Sequence, residues 1–309
     1  MDAADALSLR QLAYLVAVSE TLNFTQAAER RFVTQSTLSG GIKELERILG
    51  APLVERDRHR VLMTPLGTEV VARARAILAA SADLVALARE QSAPMTGAIS
   101  LGAIPTVAPF MLPTLLRRLR KRFPKLQVVL REEQTARLLA EVEAGRLDFA
   151  LIALPYDTGR LRVEPLFDEE LWLIAATGDP LAGREPLRAD AVAPDRLLLL
   201  EEGHCLREHT LEACRASDRA SAASGIEATS LPTLVQMVEA RLGVALLPEM
   251  AIKGGILAGA LVEPRPLKAP APKRTIALVA RPTTGRHVEF AELVKLAAEL
   301  SPGAKTGKH

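Results

Sequence analysis

The stretch Thr34-Gln-Ser-Thr-Leu-Ser-Gly-Gly-Ile-Lys-Glu-Leu-Glu-Arg-Ile-Leu-Gly50 decides how the first part of the chain is read. Leu38, Ile42, Leu45 and Leu49 recur at helical spacing and form one apolar stripe. Thr34 stands before them as an N-cap residue. Gln35, Ser36, Thr37, Ser39 and Lys43 lie away from the stripe's centre. Upstream, residues 9–31 also read as helix, with Asn23 and Thr25 as cap candidates. Downstream, Leu53-Val54 and Val61-Leu-Met63 flank the charged run Glu55–Arg60, a short hairpin. Two short helices, a tight turn and a charged hairpin describe a winged helix-turn-helix. A helix fits the major groove of double-stranded DNA and presents polar side chains to base edges, while cations fix the frame on phosphates. Thr34, Gln35, Ser36, Thr37, Ser39 and Lys43 are the candidate groove residues; Arg56, Arg58 and Arg60 are the candidate phosphate contacts. Residues 1–93 hold 11 basic and 11 acidic residues, so non-specific affinity should be modest. On this pattern alone a helical protein-interaction module stays open.

Thr64-Pro65 is a cap followed by proline at the first helical position. The helix it opens should run to about Gln91, roughly 40 Å at 1.5 Å per residue. Val70, Ile77 and Leu84 recur every seven residues, with Ala74, Ser81 and Ala88 between them. That is the a/d pattern of a helix that pairs with a second copy. Val71, Leu78 and Val85 widen the stripe, so packing on the helix's own domain is the competing reading.

After the break at residues 92–97, short apolar runs alternate with helical patterns, which argues for parallel α/β sheets. Trp172 reads as core, and residues 302–309 as a polar, frayed tail. The 309 residues are 49% apolar and 25% charged with a net charge of +2, values of a globular chain of about two domains. No apolar run approaches the roughly 20 residues that cross a bilayer, and Asp2 and Asp5 do not suit a secretory signal. A soluble cytoplasmic protein without membrane contact is expected. Ten aromatic residues are too few for a single-strand binder built on base stacking. Two cysteines are too few for a disulfide scaffold, and no cysteine–histidine spacing suits zinc. No cofactor or metal is expected.

Both cysteines lie in Glu201-Glu-Gly-His-Cys-Leu-Arg-Glu-His209 and its continuation to Cys214. Buried structural thiols are one reading. Against it, His204 and Arg207 flank Cys205, and cationic neighbours lower a thiol's pKa. Cys205 also follows the apolar run Leu197–Leu200, at a strand's carboxyl end where ligand sites gather. If the intervening residues are helical, nine residues rise about 13.5 Å, whereas a disulfide needs Cα atoms within roughly 7 Å. A 205–214 bond therefore requires that helix to unwind. Single residues have bland readings as well: Thr106 and Thr135 as helix caps, Arg274 as a surface ion-pair arginine, and His209, His287 and His309 as solvated.

The segments Arg10–Glu20, Phe24–Ala28, Thr34–Ser39, Ile42–Glu46 and Leu49–Arg56 resemble LysR-type transcriptional regulators. That resemblance implies a winged helix-turn-helix with a linker helix and a two-subdomain, periplasmic-binding-protein-like α/β effector domain, assembled as homodimer or homotetramer. The expected boundaries are 1–64 for the DNA-binding domain, 65–92 for the linker and 97–301 for the regulatory domain. RNA polymerase is a further expected partner. Ser36 stands where the family often has proline, and Gly40-Gly41 falls inside the recognition helix, at about 1 kcal/mol each relative to alanine. Gly203–Arg207, Cys214, Gly102–Val107, Glu133–Thr135, Pro165–Glu169, Ala228–Leu231 and Arg274–Ile276 resemble the hydrogen-peroxide-sensing OxyR branch of that family. The resemblance implies that Cys205 is the peroxidatic thiolate and Cys214 its resolving thiol. Thr106 and Thr135 would hold the peroxide, and His204 and Arg274 would stabilise the thiolate. A cellular thiol reductant would reset the disulfide. Glu208 stands where the branch has aspartate, and no glycine follows Cys214 in Arg215–Arg219. A regulator responding to an organic ligand, and a thiol peroxidase, are the alternatives.

Overall fold

The computed structural model describes residues 7–56, 60–92, 94–182, 187–215 and 227–301. Arg58 and the tail 302–309, both singled out above, lie outside the described residues. The chain divides into two compact units, one made mainly of residues 1–91 and one mainly of 92–309.

The first unit opens with α1 (Leu9–Thr21), α2 (Phe24–Arg30) and α3 (Gln35–Leu49). Ser8 and Gln11 form a capping box on α1, Asn23 caps α2 and Thr34 caps α3, so each helix starts where its first free N–H groups find a side-chain oxygen. Leu12, Leu15, Val18, Leu38, Ile42 and Leu45 close one core; Leu49, expected on that stripe, is 40% exposed. Strands β1 (Val54–Arg56) and β2 (Val61–Met63) pair antiparallel as the wing. Helix α4 (Pro65–Ser92) follows, with the Thr64 hydroxyl accepting from Gly67 N at 2.8 Å.

In the second unit β3 (Gly97–Ala103), β4 (Leu126–Glu132) and β5 (Phe149–Leu154) are parallel, with β3 central and α5 (Ala108–Arg122) and α6 (Thr135–Glu143) as crossovers. β6 (Arg162–Ala176) pairs antiparallel with β11 (Lys273–Ala280), β9 (Ala245–Pro248) and β10 (Val262–Arg265). β11 also runs antiparallel to β5. The sheet is thus mixed rather than all parallel. The expected strand at 171–176 is only the second half of β6. Its first half, Arg162-Val-Glu-Pro-Leu-Phe-Asp-Glu-Glu170, carries a proline and alternating charges, and a register shift leaves Leu166 as an extra residue opposite Ile276/Ala277. A bulge is where a strand admits proline.

Two cores result. One joins β3, β5, β11, α5, α6 and α10 (His287–Ala298). The other gathers the second half of β6, β7 (Leu199–Leu200), α7 (Cys205–Cys214), α8 (Leu231–Glu239) and β9. α9 (Glu249–Lys253) sends Met250 to the first and Ala251 to the second. β7 pairs in parallel with β8 (Glu227–Ala228). β6 runs continuously from one core to the other.

Candidate functional site

In the first unit, Thr34 lies at the start of α3, where its Oγ1 accepts from Thr37 N at 3.2 Å and bonds the hydroxyls of Ser36 and Thr37 at 2.9 and 2.8 Å. Thr34, Gln35, Ser36, Thr37 and Lys43 are exposed on one end and face of α3, and Ser39 is half-buried. Arg60 is exposed beside the wing, and Arg56 ends β1. Glu46 holds that wing against α3 by accepting from Leu53 N and Val54 N at 2.8 and 3.1 Å. The two glycines of α3 do not loosen it: the helix is continuous, and a Cβ at Gly41 would meet the Tyr14 ring at 2.7 Å. Gly41 is a packing requirement, whereas Gly40 faces open space. Sequence reasoning passed over Phe32, which sits in the α2–α3 turn with φ 55° and is 95% exposed. Its only sequence signal is a large apolar residue that no helical stripe claims.

In the second unit, a small pocket is lined by Ile104, Pro105, Thr106, Gln134, Thr135, Gly203, His204 and Cys205. Four residues implied by the resemblance therefore meet here, and Arg274 reaches the pocket through Thr106. Thr135 is the first residue of α6 and Cys205 the first of α7, so two helix N-termini, each carrying partial positive charge, converge on the thiol. The turn before α7 needs glycine: Gly203 has φ 94°, and a Cβ there would meet the Gln134 amide at 2.6 Å.

The bland readings of Thr106, Arg274 and His209 do not hold. Thr106 does not cap α5, which starts after Val107 without a side-chain cap; its Oγ1 accepts from Arg274 Nη1 at 2.8 Å. Arg274 is no surface arginine: its side chain is fully buried against that of Glu169. His209 is buried, not solvated, and its Nε2 lies 3.2 Å from the Pro155 carbonyl. His287 is exposed as expected, and Trp172 is half-buried. Thr135 Oγ1 is buried and makes no hydrogen bond of good geometry, yet it stands close enough to Cys205 to favour the thiolate form.

The electrostatics correct a second expectation. Burial dominates and raises the pKa of Cys205; the opposing pull comes first from Arg274 and then from Thr135 and the Leu206 backbone, not from His204 or Arg207. Arg207 turns away to the Leu200 carbonyl at 2.9 Å and to Glu227 at 2.8 Å. His204 is buried with Nε2 3.7 Å from Glu201 Oε1. At the far end of α7, burial pushes the Cys214 thiol up to about 11. Both thiols are free, and they belong to different cores: Cys205 to the first and Cys214 to the second. Among the described residues no cluster of three or more His, Cys, Asp or Glu could hold a metal ion, and no helix is long and apolar enough to cross a membrane.

Comparison with known proteins follows this geometry. Residues 9–68 match the bacterial regulatory helix-turn-helix proteins of the lysR family, and residues 92–301 the LysR substrate binding domain. A relative from Acinetobacter baylyi, the HTH-type transcriptional regulator EstR, is 50% identical over 92% of this chain and 93% of its own. A probable hydrogen peroxide-inducible genes activator of Streptomyces viridosporus is 42% identical over 93% of this chain and 92% of its own. Among solved structures, a full-length OxyR variant from Pseudomonas aeruginosa matches with a TM-score of 0.81 and 31% identity, covering 98% of this chain and 99% of that one.

Proposed function

We propose, from the premise that this chain belongs to the LysR family of bacterial helix-turn-helix transcriptional regulators and is OxyR-like, that it senses hydrogen peroxide by reversible oxidation of Cys205. The observation that carries this reading is the split placement of two free thiols on one ten-residue helix. Cys205 is buried in one core beside Thr106 and Thr135, and Cys214 in the other. A bond between them needs α7 to unwind and Cys205 to leave the first core. That is a local covalent change acting on a two-state element.

The chemistry balances simply. The Cys205 sulfur attacks one peroxide oxygen and breaks the O–O bond while the thiol proton passes to the departing oxygen, giving a sulfenic acid and water. The Cys214 thiol then displaces the sulfenic oxygen as water and leaves a disulfide. A cellular dithiol reduces it back. Because burial keeps the resting thiol protonated, reactivity comes from a peroxide held in place. The hydroxyls of Thr135, buried beside Cys205, and of Thr106 are the donors that would hold such an oxygen.

In this reading α3 reads base edges through Thr34, Gln35, Ser36, Thr37, Ser39 and Lys43. Arg56, Arg58 and Arg60 hold phosphates. The chain acts as a homodimer or homotetramer on an operator, as a regulator in the cytoplasm rather than an enzyme, with RNA polymerase as the downstream partner. A second reading keeps the regulator and replaces peroxide by a small organic ligand in the same pocket. The relative EstR, 50% identical, is named only as an HTH-type transcriptional regulator, so this second reading is the one the test must separate.

Mass spectrometry of the reduced full chain after brief low-micromolar peroxide, with free thiols alkylated, separates the two. A Cys205–Cys214 bond that Cys205→Ser abolishes, with DNA binding retained, is the expected result. Two fully alkylated thiols, at peroxide levels that oxidise a known sensor in parallel, would refute the redox reading.

A further inference from the structure

Glu169 closes one of the segments of family resemblance but is given no role by the sequence, where it is one acid in a run of charged residues. The fold buries it completely, together with Arg274. One carboxylate oxygen, Oε1, accepts from Arg274 Nε at 2.8 Å and Nη2 at 2.6 Å. The other, Oε2, accepts from Met250 N at 3.1 Å, in the first turn of α9. The guanidinium meets Thr106 on its other side, with Nη1 on Oγ1 at 2.8 Å and Nη2 on the carbonyl at 3.3 Å. A threonine hydroxyl has one proton. Because Thr106 Oγ1 accepts from arginine, that proton is left to donate. Thr106 also lines the pocket that holds Cys205.

We propose that Glu169 is a positioning residue that acts on Cys205 through Arg274. It holds the guanidinium against Thr106, so that the threonine proton is available to a ligand oxygen. It also offsets the guanidinium charge, so that the resting thiol is slow. Three elements, β6, β11 and the β3–α5 turn, are tied together by the Glu169–Arg274 pair, and the carboxylate's second oxygen ties β6 to α9 as well. The consequence for peroxide threshold rests on the redox reading above. The effect on the thiol itself does not.

The test is the pH profile of Cys205 alkylation by iodoacetamide in the reduced full chain, followed on the Cys205 peptide. Removing the carboxylate charge leaves unopposed the Arg274 charge that lowers the Cys205 pKa, and a nearby opposite charge moves a pKa by about 1–3 units. Glu169→Gln should therefore shift the midpoint down by about one pH unit and speed alkylation at neutral pH by about tenfold. An unchanged midpoint in a folded variant overturns the proposal. Where Glu169→Gln does not fold, the double variant Glu169→Met with Arg274→Met carries the test: with the guanidinium that lowers the thiol's pKa gone, its midpoint should lie above the parent's, and a fall or no shift overturns the proposal. Glu169→Met with Arg274→Met removes both charges, a replacement that buried ion pairs tolerate. A downward shift in that double variant as large as in Glu169→Gln would place the effect outside Arg274 and also overturn the proposal. Iodoacetamide needs no peroxide, and peroxide-driven disulfide formation is scored in parallel. Loss of the latter alone sinks the redox reading and leaves the role of Glu169 standing.

Discussion

Cys205 and His209 sit one turn apart on α7, and burial keeps both of them neutral: it raises the thiol's pKa and lowers the imidazole's. For His209 the ordinary value is 6.5. With the Nε2–H donated to the Pro155 carbonyl, Nδ1 is buried without a partner, so a second proton finds no acceptor. The unfolded chain takes up that proton as pH falls through 6.5 while the fold does not. The stability contributed by neutral His209 is thus complete above pH 6.5 and is lost as pH falls toward its depressed folded value. Thermal midpoints at pH 7.5 and 5.5 check this. His209→Gln, which keeps a donor for Pro155, should lose less stability between these pH values than the parent; equal losses would rule out this contribution of His209. Neither residue's state was legible in the sequence, because His204 and Arg207 are neighbours of Cys205 along the chain but not the groups that act on its sulfur.

Helix α3 shows what an element-level reading reaches and where it stops. Its cap, its stripe and its polar face follow from Thr34, Leu38, Ile42 and Leu45. The two central glycines look equivalent in the sequence and are not. Gly40→Ala should stabilise the DNA-binding unit by about 1 kcal/mol, since it adds helix propensity in open space. Gly41→Ala should destabilise it by about 1–3 kcal/mol, because the methyl meets the Tyr14 ring. Calorimetry of both variants checks the contrast, and two changes of the same sign would contradict it. β6 is the complementary case: Pro165 and the charges around it hid a strand because a bulge, created by pairing with β11, is what admits them.

At the scale of the whole molecule, α4 carries one long apolar repeat but splits its use. Val71 and Ala74 are buried in the core of the first unit. Ile77, Leu84 and Val85 are 45%, 70% and 50% exposed. The widened stripe thus serves the home domain at its N-terminal end and leaves Ile77, Leu84 and Val85 exposed, the face that the heptad reading would pair with a second copy. Leu84→Glu should shift the chain toward monomer in analytical ultracentrifugation and weaken binding to a two-half-site operator about tenfold or more. An unchanged sedimentation coefficient would remove α4 from the interface.

What the sequence determined by itself is local. Capped helices, a hairpin wing, a heptad helix and alternating α/β elements follow from residue spacing; that the two cysteines end one helix, too far apart to bond, came from the structure. Only the tertiary structure decided which of these meet. Glu169, Thr106 and Arg274 are separated by up to 168 residues and share one hydrogen-bonded cluster. The reason is physical: periodicity reports which face of an element is buried, whereas a thiol's ionisation depends on charges and hydroxyls brought in from other elements, whose distance along the chain carries no information about their distance in space.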